Sequence, residues 1–425
     1  MRKMKDSGIE WIGKIPTDWK IVKMKHIGDY INGYAFKPEQ WGEEGKPIIR
    51  IQDLTQSHTN PNYFSGDIDK KYLVKNGDLL VSWAATLDAF IWTREDAWLN
   101  QHIFKAIPKE TAVSKSFFYW LIKVAMLHMN NDNKHGIMMQ HVTYDLFDNF
   151  RIALPPINCQ EKISDFVNQK CAEIDAIIAA KEKTNAFLKE RRQSIIYEAV
   201  TKGLDFTVSM KDSGFEWIGT IPSTWEVRKL RYLGSCSNGI SKAGEFFGSG
   251  SPFVSYGDVY RNMELPREVS GLIETTAEEQ KLYSVEEGDV FFTRTSETIE
   301  EVAISSTCMQ TIDNATFAGF LIRFRPNTEL LIKEFSKYYF RSEMHRFFFV
   351  KEMNLVTRAS LSQDLLKKLP VLLPPVEEQK QIASYLDTEC SNIDKLIATN
   401  ESTIEKLKEY RQSVIYEAVT GKVAI

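Results

Sequence analysis

Apolar residues recur at alternating spacings of three and four along two long stretches of this chain, and the two stretches match position by position. This spacing is typical of a coiled-coil seam, in which occasional polar residues set the register at some cost in stability. We therefore predict two long helices that pair with each other. The residues expected to make the pairing contacts are Ile174, Ile178, Leu188, Ile195, Ile393, Ile397, Ile404, Leu407 and Val414.

The rest of the chain is dominated by short apolar runs between glycines and prolines, which predict β-strands, with one helical pattern in each half. The runs lie at 47–54, 77–83 and 102–107 in the first half and at 252–259, 288–294 and 320–325 in the second. Their order is the same in both halves, but their end residues differ. In the alignment of the two halves, Arg50 corresponds to Ser255, Gln52 to Gly257, and Trp83 to Arg294. We therefore expect one α+β frame that carries two different binding surfaces.

The two halves are copies of one plan. Residues 192–201 recur as 411–420 with one substitution, and the lead-in 4–19 recurs as 210–225. This period exceeds the roughly 20–50 residues of solenoid repeats, so the repeated unit is a whole domain plus a helix. We predict a domain at 1–153, a helix region at 154–205, a second domain at 206–372 and a second helix region at 373–425.

Connectivity sets the direction of the two helices. The first helix reaches the second domain through a short link, 202–209, so the second helix must run back if the two are to pair. We expect an antiparallel pair, an approximate two-fold relation between the domains, and contact between the N-terminal lead-in and the end of the second helix. At 1.5 Å per residue the first helix would span about 60 Å from Gln160 to Val200, but about 38 Å if it begins at Asp175.

Composition limits the class of protein. Of 425 residues, 43% are hydrophobic and 12% aromatic, which suffices for substantial cores in two or more domains. We see no signal-peptide pattern or membrane-length apolar run, and the five cysteines form no Cys-x-x-Cys pair, so we expect a soluble cytoplasmic protein with reduced thiols and no membrane partner. The net charge of −4 argues against a nucleic-acid binder that acts alone.

Motifs for catalysis are absent or unconvincing. No Gly-x-x-x-x-Gly-Lys-Ser/Thr loop occurs, and the Leu-Pro-Pro sequences at 154–156 and 373–375 lack the preceding Asp or Asn of amino-methyltransferases, so we interpret them as helix starts. The sequence Glu44-Gly-Lys46 has no counterpart in the second half. His102, His135 and His141 lack metal-ligand spacing. We predict a non-catalytic protein without a metal.

A band of basic and aromatic residues in the second half is a candidate for phosphate contacts. The alternative, which we expect for about half of the band, is that the aromatics are helix core and the charges its solvated face. The band comprises Arg323, Arg325, Lys337, Tyr338, Tyr339, Arg341, Arg346, Phe347, Lys351, Arg358, Lys367 and Lys368. Thr143 and Ser362 are predicted N-caps of helices that either seat a phosphate or are ordinary capped surface helices.

Three motifs resemble the specificity subunit of type I restriction–modification systems, and they stand in that family's order. They are the lead-in Asp6-Ser-Gly-Ile-Glu-Trp-Ile-Gly-Lys-Ile-Pro16, the Leu-Pro-Pro-x-x-x-Gln sequences that end at Gln160 and Gln379, and the helix ends at 192–201 and 411–420. The resemblance covers essentially the whole chain. It implies two mixed α/β target-recognition domains, separated by antiparallel coiled-coil helices, that each read half of a bipartite site in double-stranded DNA.

The resemblance also implies partners. Two methyltransferase subunits would bind S-adenosylmethionine, and two restriction subunits would use ATP and Mg, while this chain would hold no cofactor. The strand ends and loops then supply candidates for base contacts, since arginine suits guanine and glutamine suits adenine. The candidates are Arg50, Gln52, Ser82, Gln101, His102, His135, Gln140 and His141 in the first domain, and Ser255, Tyr256, Arg294, Thr295, Thr357, Arg358 and Ser360 in the second.

Two other classes of protein remain open. One is a coiled-coil adaptor whose end domains bind proteins, and the other is a DNA-binding regulator that acts alone. A gel shift with and without a co-purified methyltransferase separates the three. The adaptor never shifts DNA, the regulator shifts it unaided, and the specificity subunit needs or strongly prefers its partner.

Overall fold

The computed structural model describes residues 2–56, 60–84, 86–132, 143–296, 301–327, 329–352 and 359–425. The chain forms two compact units, one of Met1–Lys181 with Ser402–Ile425 and the other of Glu182–Glu401. The limits of the units fall inside the two long helices, at 181/182 and 401/402. The domain limits drawn from the sequence therefore stay predictions.

The first unit is a mixed α/β domain. Its strands are β1 (Met4–Asp6), β2 (Lys14–Pro16), β3 (Lys20–Lys23), β4 (Gly28–Asn32), β5 (Lys46–Ile49), β6 (Tyr63–Phe64), β7 (Leu73–Val74), β8 (Leu79–Ser82), β9 (Asp88–Ile91), β10 (Ala97–Leu99), β11 (Ile103–Pro108) and β12 (Arg151–Leu154). Its helices are α1 (Ile51–Thr55), α2 (Lys115–Asp132) and α3 (Tyr144–Asn149), and the long helix α4 (Ile157–Lys202) begins in it. Two four-stranded sheets have the orders β6-β5-β10-β7 and β4-β11-β8-β9.

The second unit repeats this plan. Its strands are β13 (Met210–Asp212), β14 (Thr220–Pro222), β15 (Glu226–Lys229), β16 (Gly234–Asn238), β17 (Phe247–Val254), β18 (Gly271–Ile273), β19 (Val290–Thr293), β20 (Thr295–Ser296), β21 (Ser305–Thr307), β22 (Thr316–Phe317), β23 (Leu321–Pro326), β24 (Ala359–Ser360) and β25 (Pro370–Leu373). Its helices are α5 (Tyr256–Arg261), α6 (Ala277–Leu282), α7 (Lys333–Arg341), α8 (His345–Glu352) and α9 (Gln363–Leu366), and α10 (Val376–Val419) begins in it. The order β16-β23-β19-β21 matches β4-β11-β8-β9, and the three-stranded order β18-β17-β22 matches β6-β5-β10 without a counterpart of β7. The α+β frame used twice is therefore confirmed.

The two long helices are continuous, with 46 residues in α4 and 44 in α10. The longer of the two predicted lengths is therefore right. In the second unit, Asn400 Nδ2 donates to Asn185 Oδ1 at 2.9 Å, and Arg192 Nε lies 3.2 Å from Asp394 Oδ1. The contact residue on α10 has a lower number when the contact residue on α4 has a higher one. The helix segments in this unit are therefore antiparallel, as predicted.

The first unit contains the repeat counterpart of one of these pairs, because Arg411 Nε lies 3.0 Å from Asp175 Oδ1. Every residue predicted to pair the helices is buried or half-buried on its helix. Polar groups therefore alternate with apolar ones along the seam. Such polar layers favour one register, since a shift would leave a buried amide or charge without its partner.

A glutamine ties the start of each long helix to its domain. Gln160 Nε2 donates to Ala112 O at 3.0 Å, and its Oε1 accepts from Ser114 N at 2.7 Å. Gln379 makes the equivalent set of bonds in the second unit, at 2.7 to 3.1 Å. Both side chains are fully buried, so the last residue of Leu-Pro-Pro-x-x-x-Gln joins the domain and the helix through its amide.

Each lead-in packs a buried tryptophan on the end of a long helix. A side-chain carbon on Gly421 would lie 3.0 Å from Trp19 Cη2, and one on Gly203 would lie 3.3 Å from Trp225 Cζ2. Both glycines have positive φ, +75° and +76°, and so end their helices in the left-handed region. The expected contact between the N-terminal lead-in and the end of the second helix is therefore present.

This contact supports a circular permutant that is opened in the exposed link 204–207 and closed by fusing residue 425 to residue 2. The residues after Val419 and before Met4 outnumber those between Lys202 and Met210, so a direct fusion is long enough. We expect the permutant to fold with a free energy of unfolding within about 1 kcal/mol of the parent, measured by urea denaturation. A permutant that is insoluble or lacks the parent's circular dichroism would contradict the expectation.

Candidate nucleic-acid interface

The first unit brings the ends of two parallel strands together. β5 pairs with β10 in parallel register, with Ile49 opposite Leu99. Parallel strands end at the same edge of a sheet, so the segments that start at Arg50 and Asn100 are neighbours. Most of the candidates in the described part of this unit lie on these two segments.

Arg50 is partly engaged within the protein. Its backbone N–H donates to Asp53 Oδ2 at 2.7 Å, and its Nη2 donates to Asn60 O at 2.9 Å. Its Nε lies 3.7 Å from the same Asp53 carboxylate. Gln52 is exposed on the first turn of α1. The predicted arginine is therefore held in place at the edge, and the glutamine beside it is open to solvent.

A tight turn, 100–103, forms the other half of this edge. Ile103 N donates to Asn100 O at 3.1 Å, and Trp83 N donates to His102 O at 3.4 Å. His102 is exposed, with its ring 5.5 Å from that of Trp83 and its Nε2 3.5 Å from Gln101 Nε2. The structure thus brings Gln101 and His102 together and supports them with the residue that follows β8.

Ser82 is the described candidate that lies inside the domain. Its side chain is fully buried, and its hydroxyl donates to Ala84 O at 3.2 Å. In this conformation it presents no accessible atoms to a base. By the alternation of β8, Ser82 lies on the same face of the sheet as Leu80, which is buried in an apolar cluster. The next residue, Trp83, lies beside His102 of the turn.

The second unit forms the same edge with other residues. β17 runs parallel to β22, with Val254 opposite Phe317. Ser255 then caps α5, since its hydroxyl donates to Asp258 Oδ2 at 2.7 Å and accepts from Asp258 N at 3.3 Å. Tyr256 is half-buried and stacks on another tyrosine of α5 at 5.9 Å. Ser255 is therefore engaged as the N-cap of α5, and Tyr256 lies beside the edge of the sheet.

Three candidates meet beside the equivalent turn, 318–321. Arg294 N donates to Phe320 O at 2.9 Å, and Arg294 Nη1 lies 3.5 Å from Gly319 O. Thr295 pairs with Ser360 across β20 and β24. The sequence places Ser360 far from Arg294 and Thr295, and only the fold makes them one patch.

Phe320 was missed as a candidate. It occupies the place of His102, because its carbonyl accepts from the residue after β19 as that of His102 accepts from the residue after β8. Its side chain is 65% exposed. The repeat already aligned the runs 102–107 and 320–325, so this position could have been found, but a search for hydrogen-bonding residues passes over a phenylalanine.

Five candidates lie outside the described residues: His135, Gln140, His141, Thr357 and Arg358. The caps that follow those segments are present. Thr143 Oγ1 accepts from Leu146 N at 3.3 Å, and Ser362 Oγ accepts from Leu365 N at 3.1 Å. The N-cap predictions for α3 and α9 are therefore confirmed.

The predicted phosphate band is wrong for the cations that pair inside the second unit. Arg325 Nη2 lies 2.6 Å from Asp289 Oδ2. Lys337 lies between two carboxylates, 2.6 Å from Glu264 and 2.7 Å from Asp387. Burial lowers the pKa of Lys337, but its hydrogen bonds with these carboxylates outweigh it, so the pKa is raised and the ammonium stays charged. These charges are neutralised within the domain.

Other members of the band are also used internally. Arg341 Nη1 donates to Ser305 O at 2.7 Å, and its Nη2 donates to Tyr260 O at 2.8 Å. Tyr338 and Tyr339 are buried in the core. The alternative of core aromatics therefore holds for these two tyrosines, whereas Phe347 is 66% exposed. The side chains of Arg346, Lys351 and Arg358 lie outside the described residues, and Lys368 is exposed.

The thiols give no sign of reactive chemistry. All five cysteines are free, and burial raises the pKa of Cys308 to about 12 and that of Cys236 to about 11. These two thiols therefore stay protonated near neutral pH. Within the described ranges, no group of three or more His, Cys, Asp or Glu is arranged to hold a metal ion. Nor does any helix there have the length and apolarity needed to cross a membrane.

This fold and its two polar edges agree with a match to a known family. The family model for the type I restriction modification DNA specificity domain matches residues 16–185 and 222–409. The chain therefore belongs to the family of specificity subunits of type I restriction–modification systems. Each match covers the β-rich domain and much of the long helix that follows it.

Similar proteins agree over nearly the full length. The chain is 24% identical to the EcoBI specificity subunit of Escherichia coli, over 99% of this chain and 90% of that protein. It is 23% identical to the MjaVIII specificity subunit of Methanocaldococcus jannaschii, over 97% and 94%. A solved structure concerned with assembly and conformational transition of the type I R-M system matches with a TM-score of 0.72 at 14% identity, over 96% of this chain and 99% of that one. The HsdS subunit from Thermoanaerobacter tengcongensis matches with a TM-score of 0.52 at 15% identity, over 96% and 98%.

Proposed function

We propose that this chain reads a bipartite DNA target, one half-site per unit, and docks the methyltransferase and restriction subunits that act on it. The observation that carries the proposal is the pair of strand edges. The same backbone frame recurs in both units, while the side chains it presents differ: Arg50, Gln52, Gln101 and His102 in one, and Tyr256, Arg294, Thr295 and Ser360 in the other. A shared frame with different polar residues suits two readers of different base sequences.

In this proposal the chain itself is non-catalytic. Two methyltransferase subunits carry S-adenosylmethionine, and two restriction subunits use ATP and Mg. The five free cysteines suit action in the cytoplasm, where thiols stay reduced. The net charge of −4 is consistent with partners that supply much of the positive surface against DNA phosphates.

The test is methylome sequencing of a host with and without this chain. We expect one bipartite motif, modified in both half-sites and separated by an unread gap, to disappear when the chain is absent. A gel shift adds the requirement for a partner, since we expect a specific shift only with the methyltransferase. Unaided specific binding would favour a stand-alone regulator, and no DNA binding in either case would favour an adaptor.

Replacing Arg294 with alanine is expected to relax the motif in the half-site read by the second unit. Loss of one arginine–base contact costs about 1–3 kcal/mol of discrimination, so neighbouring sequences should compete about 5- to 150-fold better. The half-site of the first unit should stay unchanged. The measurement is single-molecule sequencing of DNA methylated by the purified complex.

The matched control is Arg228→Ala. Arg228 is an exposed arginine of β15 that pairs locally with Glu226 at 2.6 Å, and β15 belongs to a separate two-stranded sheet with β25. We expect this variant to keep the parent motif. If Arg294→Ala alters methylation at neither half-site, Arg294 does not read a base.

A further inference from the structure

The turn 318–321 is held by backbone bonds from several segments. Ala318 N donates to Val254 O at 3.0 Å, and Gly319 N donates to Ile240 O at 2.8 Å. Within the turn, Leu321 N donates to Ala318 O at 2.9 Å, and Arg294 N donates to the carbonyl of the third residue, Phe320, at 2.9 Å. A loop fixed from this many directions loses little freedom when it binds a partner.

The close packing also explains the glycine. A side-chain carbon on Gly319 would lie 2.1 Å from Ser241 Oγ and 3.2 Å from Ile240 O. The turn therefore lies tightly against the segment that follows β16, and Phe320 is the residue of the turn with a large exposed side chain. The residue is 65% exposed beside the patch of Arg294, Thr295 and Ser360.

An exposed ring at a rigid position has a physical cost. Burial of a phenylalanine is worth about 1.5–3 kcal/mol, which the free protein forgoes here. Single exposed apolar residues are common and need no explanation by themselves. Phe320 differs because the first unit builds the same turn, with Trp83 N bonded to His102 O, and places an exposed polar ring there instead.

We infer that Phe320 reads thymine in the half-site of the second unit, by apolar contact with the 5-methyl group in the major groove. Of the four bases, thymine alone presents a methyl group there, beside its O4 acceptor, whereas the edges of the other three carry hydrogen-bonding groups without a methyl group. A phenyl ring against such an edge would leave its donors or acceptors without partners, which selects against the wrong base. At the equivalent position, His102 with Gln101 reads a hydrogen-bonding edge. The inference deepens the proposed function and rests on it.

The experiment measures DNA binding by the complex of this chain with its methyltransferase, on duplexes in which each thymine of the second half-site is replaced singly by deoxyuridine. Deoxyuridine keeps the pairing and removes only the methyl group. Loss of one buried methyl should weaken binding by the parent about 4-fold at one position. Phe320→Ala should weaken binding to the unmodified duplex about 10-fold and bind the two duplexes equally.

Two variants serve as controls. Phe320→Leu keeps an apolar side chain and should keep part of the sensitivity to the methyl group. His102→Ala should keep the full 4-fold sensitivity in the second half-site, because the equivalent residue there is unchanged. Since Phe320 is largely exposed, unchanged circular dichroism and melting temperature are expected and are checked first.

Three results would overturn the inference. One is a second half-site without thymine on either strand. Another is a Phe320→Ala variant that still loses 4-fold on deoxyuridine. The third is a parent complex that depends on Phe320 but is indifferent to the methyl group, which would mean that the ring wedges between base pairs. If the parent complex recognises no bipartite site at all, the proposed function itself fails. If it recognises one that Arg294→Ala relaxes, any of these three results overturns only this inference.

Discussion

Replacing Trp225 with alanine is expected to lower the free energy of unfolding by about 3–5 kcal/mol, the usual cost of emptying a large buried site. Trp225 is 0% exposed and packs in the cluster that joins the second lead-in, the end of α4 and the core of the second unit. Its ring lies against Gly203, which permits the approach because it has no side chain. The measurement is urea denaturation followed by circular dichroism.

The chain offers matched controls for this substitution. Trp19→Ala removes the equivalent ring from the first unit and should cost a similar amount, because Trp19 is 1% exposed. Trp41 is 45% exposed, and Trp41→Ala should change the free energy by less than about 0.5 kcal/mol. If Trp225→Ala proves as stable as Trp41→Ala, the lead-in does not anchor the helix end.

Replacing Asp289 with alanine is expected to cost about 3 kcal/mol, because it breaks a buried ion pair and a turn at once. The Asp289 side chain is fully buried and accepts from Arg325 Nε at 2.7 Å and Nη2 at 2.6 Å. It also accepts from Glu286 N at 2.8 Å. The expected cost is at the lower end for a buried pair, since Glu286 still faces Arg325 at 2.7 Å in the variant.

Two variants test this assignment. Asp289→Asn keeps an acceptor for the turn and loses only the charge, so it should cost less than alanine. Asp78 is the counterpart in the first unit, 3.2 Å from Lys105, and both side chains there are partly exposed. Asp78→Ala should therefore cost about 1–2 kcal/mol. Equal effects of Asp289→Ala and Asp289→Asn would show that the charge, and not the turn, carries the loss.

Under the proposed function, the Asp289 pair also supports the candidate DNA-contacting surface. Asp289 precedes β19, and Arg294 follows the last residue of that strand. Loosening the start of β19 should therefore weaken the support of Arg294 and of the Phe320 turn bonded to it. The frame therefore supports the proposed contact residues: equivalent backbone bonds hold both turns, while the side chains presented there differ between the units.

The sequence by itself predicted the long helices, because a helix face is a local periodic pattern that needs no knowledge of the partner. It also predicted the repeated frame and the contact between lead-in and helix end, since duplicated segments fold alike. It identified Gln160 and Gln379 as part of a motif. Their role as buried amide links between domain and helix became visible only when the segments around 112 and 330 were placed beside them.

Only the tertiary structure decided which of the candidate polar residues remain accessible and which are used inside the protein. The sequence shows Arg325 and Lys337 as members of a basic band, but their acidic partners lie 36 and 73 residues away along the chain. Ser82 likewise belongs to a polar strand end in sequence and to the core in the fold. Pairing between distant segments sets burial and neutralises charge, and no local pattern encodes it. For the same physical reason Phe320, an unremarkable apolar residue in sequence, became a candidate reader once its turn was seen beside Arg294.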